Sequence, residues 1–200
     1  RMGTAENNTA ILLVSSGARL AAALGARLSP ARFSLFPVAT AAEGEEALLL
    51  SDFDAVILDL PLRGGGGVPL ARRAARTGAT GVLLLVKESE RARAEAALSG
   101  AGIFVLGKPV GAARLTEALT LLCSTSEKLR RLAARRAAAG DGASLSPEEE
   151  DVRLIHRAKW LLMTELRMSE PQAHRYIEKQ AMDRCVPKRR IAENILATYK

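Results

Sequence analysis

The chain has 200 residues, an apolar share of 48% and a formal net charge of +7. That is enough apolar material for a packed core in one large or two modest domains, which excludes disorder throughout. No apolar run approaches the roughly 20 residues of a membrane helix, and the polar start, Arg1 to Asn8, precedes no signal-peptide core, so a cytoplasmic protein with no membrane partner is expected. Cys123 and Cys185 stand far apart without clustered histidines, which excludes a disulfide framework and a zinc ligand set.

In chain order, "AILLVSS" (Ala10 to Ser16), a weaker run at Phe33 to Val38, "DAVILDL" (Asp54 to Leu60), "GVLLLV" (Gly81 to Val86) and "GIFVLGKP" (Gly102 to Pro109) are short apolar, β-rich segments. They have the length and composition of parallel strands buried on both faces. Helical stretches rich in alanine and leucine separate them: Arg19 to Leu28, Ala41 to Leu50, Val68 to Arg76 and Glu88 to Leu98. Five alternations of strand and helix imply right-handed crossovers and a doubly wound five-stranded parallel α/β sheet over residues 9–124. Its sites belong at the carboxyl ends of the strands.

Beyond Pro109, Leu115, Leu119, Leu122, Ser126, Leu129, Ala133 and Arg136 recur at steps of four and three. That spacing predicts a long helix over 111–139 with a coiled-coil seam, either a dimerising stalk or a surface helix packed on its own domain. The stalk is preferred. "GDGASLSP" (Gly140 to Pro147) then reads as a linker. Ser146, Pro147 and Glu149 give the N-cap, first-turn proline and return carboxylate of a capping box. Further helix starts at Ser169 and Pro187 complete a three-helix bundle over 146–200, too small to be robust alone.

Charge concentrates in this last part, where residues 152–200 hold 11 Lys and Arg against 5 Asp and Glu. Such a surplus on a small domain fits a polyanion partner. No nucleophile–base pair or metal cluster is apparent, and "RGGGG" (Arg63 to Gly67) lacks the Gly-Lys-Ser/Thr ending of a phosphate loop, so neither an enzyme nor a cofactor is expected. His156 and His174 lack acidic or cysteine partners at ligand spacing.

"VILDLPLRGGGG" followed some fifty residues later by "GKPV" resembles the receiver domain of bacterial response regulators, a flavodoxin-like fold. The resemblance makes Asp59 phosphoacceptor-like and Lys108 its phosphate-contacting lysine, with a sensor kinase or other regulatory protein as partner. The chain departs from that family elsewhere. Ser15 and Ser16 replace the carboxylate pair that holds Mg²⁺, Val86 replaces the strand-four hydroxyl, and Val105 stands where the switch aromatic belongs, with Phe104 one position away. Hydroxyls alone are poor ligands for a hard cation, so a structural pairing of Asp59 with Lys108 and nearby backbone is the favoured reading.

Residues 157–196, "RAKWLLMTELRMSEPQAHRYIEKQAMDRCVPKRRIAENIL", resemble the ANTAR domain, an RNA-binding antitermination module, in its clostridial version. Ala158-Lys159 with Leu161-Leu162, "SEPQA", "QAMDR" and a basic third helix containing "IAENI" carry the likeness. It implies a homodimer that grips hairpin loops in a leader transcript and keeps a terminator from forming. Arg157, Ala158 and Lys159 on the first helix would join His174, Arg175, Gln180, Met182, Asp183 and Arg184 on the second in one exposed surface. The Lys159 ammonium would face phosphate, and Lys188, Arg189 and Arg190 would neutralise backbone. Trp160 is read as core rather than a base-stacking platform, and Tyr176 and Ile177 as core. The competing classes are a protein-interaction adaptor and a DNA-binding response regulator with a degenerate receiver.

Overall fold

The computed structural model describes residues 8–76, 80–98, 101–138 and 146–199; the predicted linker at 140–145 lies outside them. The chain divides into two units, Arg1–Ser126 and Glu127–Lys200.

In the first unit, strands β1 (Thr9–Ser15), β2 (Phe33–Val38), β3 (Ala55–Asp59), β4 (Gly81–Lys87) and β5 (Ile103–Lys108) alternate with helices α1 (Ala18–Gly25), α2 (Ala41–Leu50), α3 (Gly67–Arg76), α4 (Glu88–Ala97) and the start of α5 (Ala112–Ala138). All pairings are parallel, in the order β2-β1-β3-β4-β5. The apolar runs behave as their composition demands: β1, β3 and β4 are buried along nearly their whole length, and β2, which carries Pro37, lies at an edge, where a strand proline is tolerated. Strand order reverses between β1 and β3, and their register sets Ser15 opposite Asp59 at the carboxyl end.

The predicted seam of α5 is used differently from a free stalk. Leu115, Leu119, Leu122 and Ser126 are buried, and so are the off-seam Ala118 and Leu121. The Ser126 hydroxyl accepts from the Gly81 N–H at 3.0 Å and donates to the Asp54 carbonyl at 2.7 Å. At Gly81, which opens β4, a Cβ would sit 2.9 Å from Leu122 Cβ. This half of the seam is consumed by the chain's own sheet, because one apolar stripe cannot cover two surfaces. The preference for a dimerising stalk is corrected over residues 115–126.

The second unit holds the end of α5 with α6 (Pro147–Glu165), α7 (Glu170–Asp183) and α8 (Lys188–Thr198). Ser146 and Glu149 form the expected capping box, and Ser169 with Gln172 forms a second. Glu149 does more than cap, since its buried carboxylate also takes a 2.5 Å bond from Arg136 of α5. Ala173, Ile177 and Ala181 of α7 and Ile191, Ala192 and Ile195 of α8 are buried, at helical spacing. No helix among the described residues is long and apolar enough to cross a membrane.

Helix α7 ends in a Schellman motif, with Val186 N–H on the Ala181 carbonyl at 3.0 Å and Cys185 N–H on the Met182 carbonyl at 3.1 Å. Cys185 occupies the left-handed position at φ 52°, where glycine carries no steric penalty. Cys185→Gly is expected to stabilise the second unit by about 0.5–1 kcal/mol, read as a higher urea midpoint. An unchanged or lower midpoint would contradict a strained cap.

Candidate functional site

At the carboxyl end of the sheet, strands β1, β3 and β5 deliver Ser15, Asp59 and Lys108 to one point. Lys108 Nζ lies 2.8 Å from Asp59 Oδ1 and 2.5 Å from the Leu60 carbonyl oxygen, while the Ser15 hydroxyl donates to Asp59 Oδ2 at 2.8 Å. Ser16 is engaged as well, accepting from Arg63 N–H at 2.8 Å and donating to the Ala39 carbonyl at 3.2 Å. Both carboxylate oxygens of Asp59 are therefore satisfied, one by a full cation. A single carboxylate with two hydroxyls and an ammonium does not fit Mg²⁺, which needs anionic oxygens and no competing cation. The described residues contain no group of three or more His, Cys, Asp or Glu that could hold a metal ion.

In the bundle, the sequence expectation for Lys159 changes. Between Ala158 and Thr164, α6 is buried on nearly every side, as a helix enclosed by its neighbours must be. Ala158 is fully buried, and Lys159 is 8% exposed with its ammonium 2.6 Å from Glu170 Oε1. Neither presents an open surface. Glu170 opens α7, where a carboxylate is also favoured by the helix dipole. Lys159 is thus held at the first turn of α7 and Met182 stands at the last, roughly 18 Å along the helix at 1.5 Å per residue. The single rim joining Lys159 to Met182 is not assembled, because the chain after α6 brings the opening turn of α7 beside Lys159.

The second end of α7 keeps what was expected of it. Met182 is 76% exposed, Asp183 and Arg184 are exposed, and Gln180 is half-buried beside them. The cations of α8 are largely committed: Lys188 to Glu178 at 2.5 Å, Arg189 to Asp151 at 2.8 Å and Glu193 at 3.1 Å, and Arg190 to Glu193 at 3.3 Å. The Lys188 hydrogen bond, with His174 second, holds the Glu178 carboxyl below its ordinary range. Arg189, then burial acting against it, sets the lowered Glu193, and Glu193 with Asp151 raises Arg189 further. His174 Nε2 lies 3.2 Å from Glu178, so it belongs to the same ionic row. Arg157, Arg175, Lys179 and Arg184 are exposed and make no ion pair among the described residues.

Trp160 and Ile177 are buried as expected, whereas Tyr176 is 39% exposed, one step of 100° away from Ile177 and off the core face. Glu170 and Glu149 were not singled out for tertiary roles; their only sequence signal was acidity in a helix first turn. His156 is buried, and that burial, with Lys159 nearby, lowers its pKa to about 3.

A doubly wound sheet with a strand-end Asp–Lys pair, followed by a small basic helical bundle, is the arrangement of a receiver-like fold joined to a helical domain. Residues 144–196 match the ANTAR domain family. Over 164 residues the chain is 32% identical to the transcriptional regulatory protein PdtaR of Mycobacterium tuberculosis, in strains CDC 1551 / Oshkosh and H37Rv, across 80% of this chain and 77% of that one. The signal receiver domain of an HD domain-containing protein from Pseudomonas fluorescens Pf-5 aligns with a TM-score of 0.57 at 24% identity, over 65% of this chain and 97% of that one. A response regulator receiver domain protein from Clostridium thermocellum aligns with a TM-score of 0.53 at 19% identity, over 60% and 98%. At such identities these two structures speak for the fold alone. The chain belongs to the ANTAR-domain transcriptional regulators that carry an N-terminal receiver-like domain.

Proposed function

We propose that this transcriptional regulator works on RNA, as a dimer whose bundles hold hairpin loops of a nascent leader transcript and so prevent a terminator from forming. The observation that carries this reading is the closing turn of α7, where a 76% exposed methionine stands among Gln180, Asp183 and Arg184. Gln and Asp can hydrogen-bond the exposed edges of unpaired bases, and Met offers an adaptable apolar face to them. Arg184 supplies phosphate attraction without first breaking an ion pair, and Arg157, His174 and Arg175 extend the surface along the bundle. Lys188, Arg189 and Arg190 act through the exposed pairs they already form. Lys159 and Ala158 act from within the bundle, Lys159 by holding the opening turn of α7 through Glu170. Two modest contacts joined in one dimer gain from effective concentration.

In this reading the receiver domain takes its signal from a protein partner, a sensor kinase or another regulator, without the usual Mg²⁺-assisted phosphorylation of Asp59. The Asp59–Lys108–Ser15 network supports it, since both carboxylate oxygens are already bonded.

The test is affinity for a two-hairpin RNA against a one-hairpin RNA. Gln180→Ala with Met182→Ala is expected to weaken two-hairpin binding about tenfold, equivalent to ~1.4 kcal/mol. Arg184→Ala should lower the slope of log affinity against log salt by about 0.7, the value for one phosphate on a single strand. Unchanged affinity and slope in these variants would move the bundle to the adaptor class. Equal binding to duplex DNA would favour a DNA-binding regulator.

A further inference from the structure

Two exposed features of the chain lie outside the α7 surface and the Asp59 network, and they are complementary. The first is a corner of the receiver-like unit. Leu49 and Leu50, in the last turn of α2, are 70% and 76% exposed, and Phe36 on the edge strand β2 is 48% exposed. The Phe36 ring meets Phe53 edge-on at 5.5 Å between centroids, and Phe53 follows the end of α2 by three residues, which brings the edge strand close to that end of the helix. Exposed Glu46 and Asp52 flank it, and the unpaired carbonyls at the C-terminal end of α2 add negative potential. Large apolar groups clustered this openly mark a contact surface.

The second feature lies wholly within the other unit. The end of α5 and the start of α6 line an open groove of about 590 Å³ that includes Leu132 and Val152. Lys128, Arg131 and Arg135 line it from α5, with Glu148 on the α6 side. Arg131 is paired with Glu127, while Lys128 and Arg135 make no ion pair among the described residues. Residues 128–138 hold five Lys and Arg and no Asp or Glu. The groove thus combines apolar Leu132 and Val152 with Lys128 and Arg135 on its α5 edge, opposite the acidic first turn of α6, and that α5 edge is the inverse in charge of the α2 corner.

We propose that the Leu49–Leu50 corner of one copy docks in the α5–α6 groove of a second copy, and that this contact builds the dimer. Complementary charge would orient the encounter and exclude other registers, while burial of the two leucines supplies the attraction. Both halves sit on one chain, so the arrangement proposed is a two-fold pair in which each copy gives its corner and receives the other's. The contact also replaces the stalk seam, whose first half the sheet has consumed. This rests on the dimeric reading above, and it names the surfaces that reading leaves open.

The experiment is light-scattering mass of the full chain over a wide concentration range. Leu49→Gln with Leu50→Gln changes only exposed side chains and is expected to weaken dimerisation by about tenfold or more. Lys128→Glu with Arg135→Glu, and separately Glu46→Lys with Asp52→Lys, should each weaken it similarly. Combining the two charge reversals should restore the wild-type constant. A wild-type chain that stays monomeric, leucine variants that dimerise unchanged, or reversals that fail to rescue each other would overturn the proposal. So would a groove reversal that lowers RNA affinity at unchanged mass, which would make the groove a nucleic-acid face. Mass is read without RNA, so failure of the loop contacts at α7 would show separately, as lost affinity in an intact dimer.

Discussion

Glu170→Ala is expected to destabilise the C-terminal bundle by about 2–3 kcal/mol, whereas Lys159→Met leaves it within about 1 kcal/mol of the wild type. The asymmetry follows from geometry. The Lys159 side chain is 10% exposed and its ammonium sits 2.6 Å from a Glu170 carboxylate that is itself 23% exposed. Removing the carboxylate leaves a cation in a largely buried position without its partner, and desolvation without a partner is what makes broken buried pairs costly. The partial exposure of Glu170 reduces that cost below the 3–5 kcal/mol typical of a fully enclosed pair. Methionine keeps the length and apolar stem of lysine while removing the charge that needed pairing, and it leaves Glu170 with some access to water. Urea unfolding of the two variants reads both values. The same variants separate two roles for the lysine. If Lys159→Met keeps RNA affinity, the residue positions α7 from within. Lost affinity at preserved stability would instead mean that the ammonium swings out to the nucleic acid, as the family resemblance implies.

The bundle should also lose about 2–3 kcal/mol between pH 7 and pH 4.5, because His156 resists protonation when folded. Its pKa falls from 6.5 to about 3, first through burial and then through the nearby Lys159 ammonium. A depressed histidine makes the native state the poorer proton binder. Above pH 6.5 both states are neutral at this site and the contribution is fully present. Below 6.5 the unfolded chain takes up the proton and the folded chain does not, so stability declines until the pH approaches 3. Glu178 and Glu193, lowered by Lys188 and Arg189 respectively, push in the same direction, since their pairs are lost as acid protonates them. Urea unfolding at the two pH values measures the slope, and His156→Leu should flatten the part between 6.5 and 4.5. A wild-type free energy equal at both pH values would show that the ring is accessible to protons in the folded state.

The strands were legible because parallel strands buried on both faces need continuous apolar runs, and "AILLV", "AVILD" and "GVLLLV" can satisfy little else. The capping box at Ser146 was legible for a local reason: an N-cap hydroxyl and a carboxylate three residues on satisfy each other's backbone without help from the rest of the fold. Asp59 and Lys108 were placed at strand ends by the resemblance to receiver domains. Their partner Ser15 was read only as a missing ligand, because its bond to Asp59 depends on strand register.

By itself, then, the order of residues determined which segments form strands and helices, where the helices begin, and which side chains lie along one stripe. Periodicity measures position around one element, and it is silent about what that stripe meets. Only the tertiary structure decided that the α5 stripe faces its own sheet over 115–126, that α6 is enclosed so that Lys159 is buried against Glu170, and that Tyr176 faces outward. It also decided which cations of α8 are already paired. Each of those outcomes turns on contacts between elements distant in the chain, where burial and charge pairing are settled by packing rather than by local sequence.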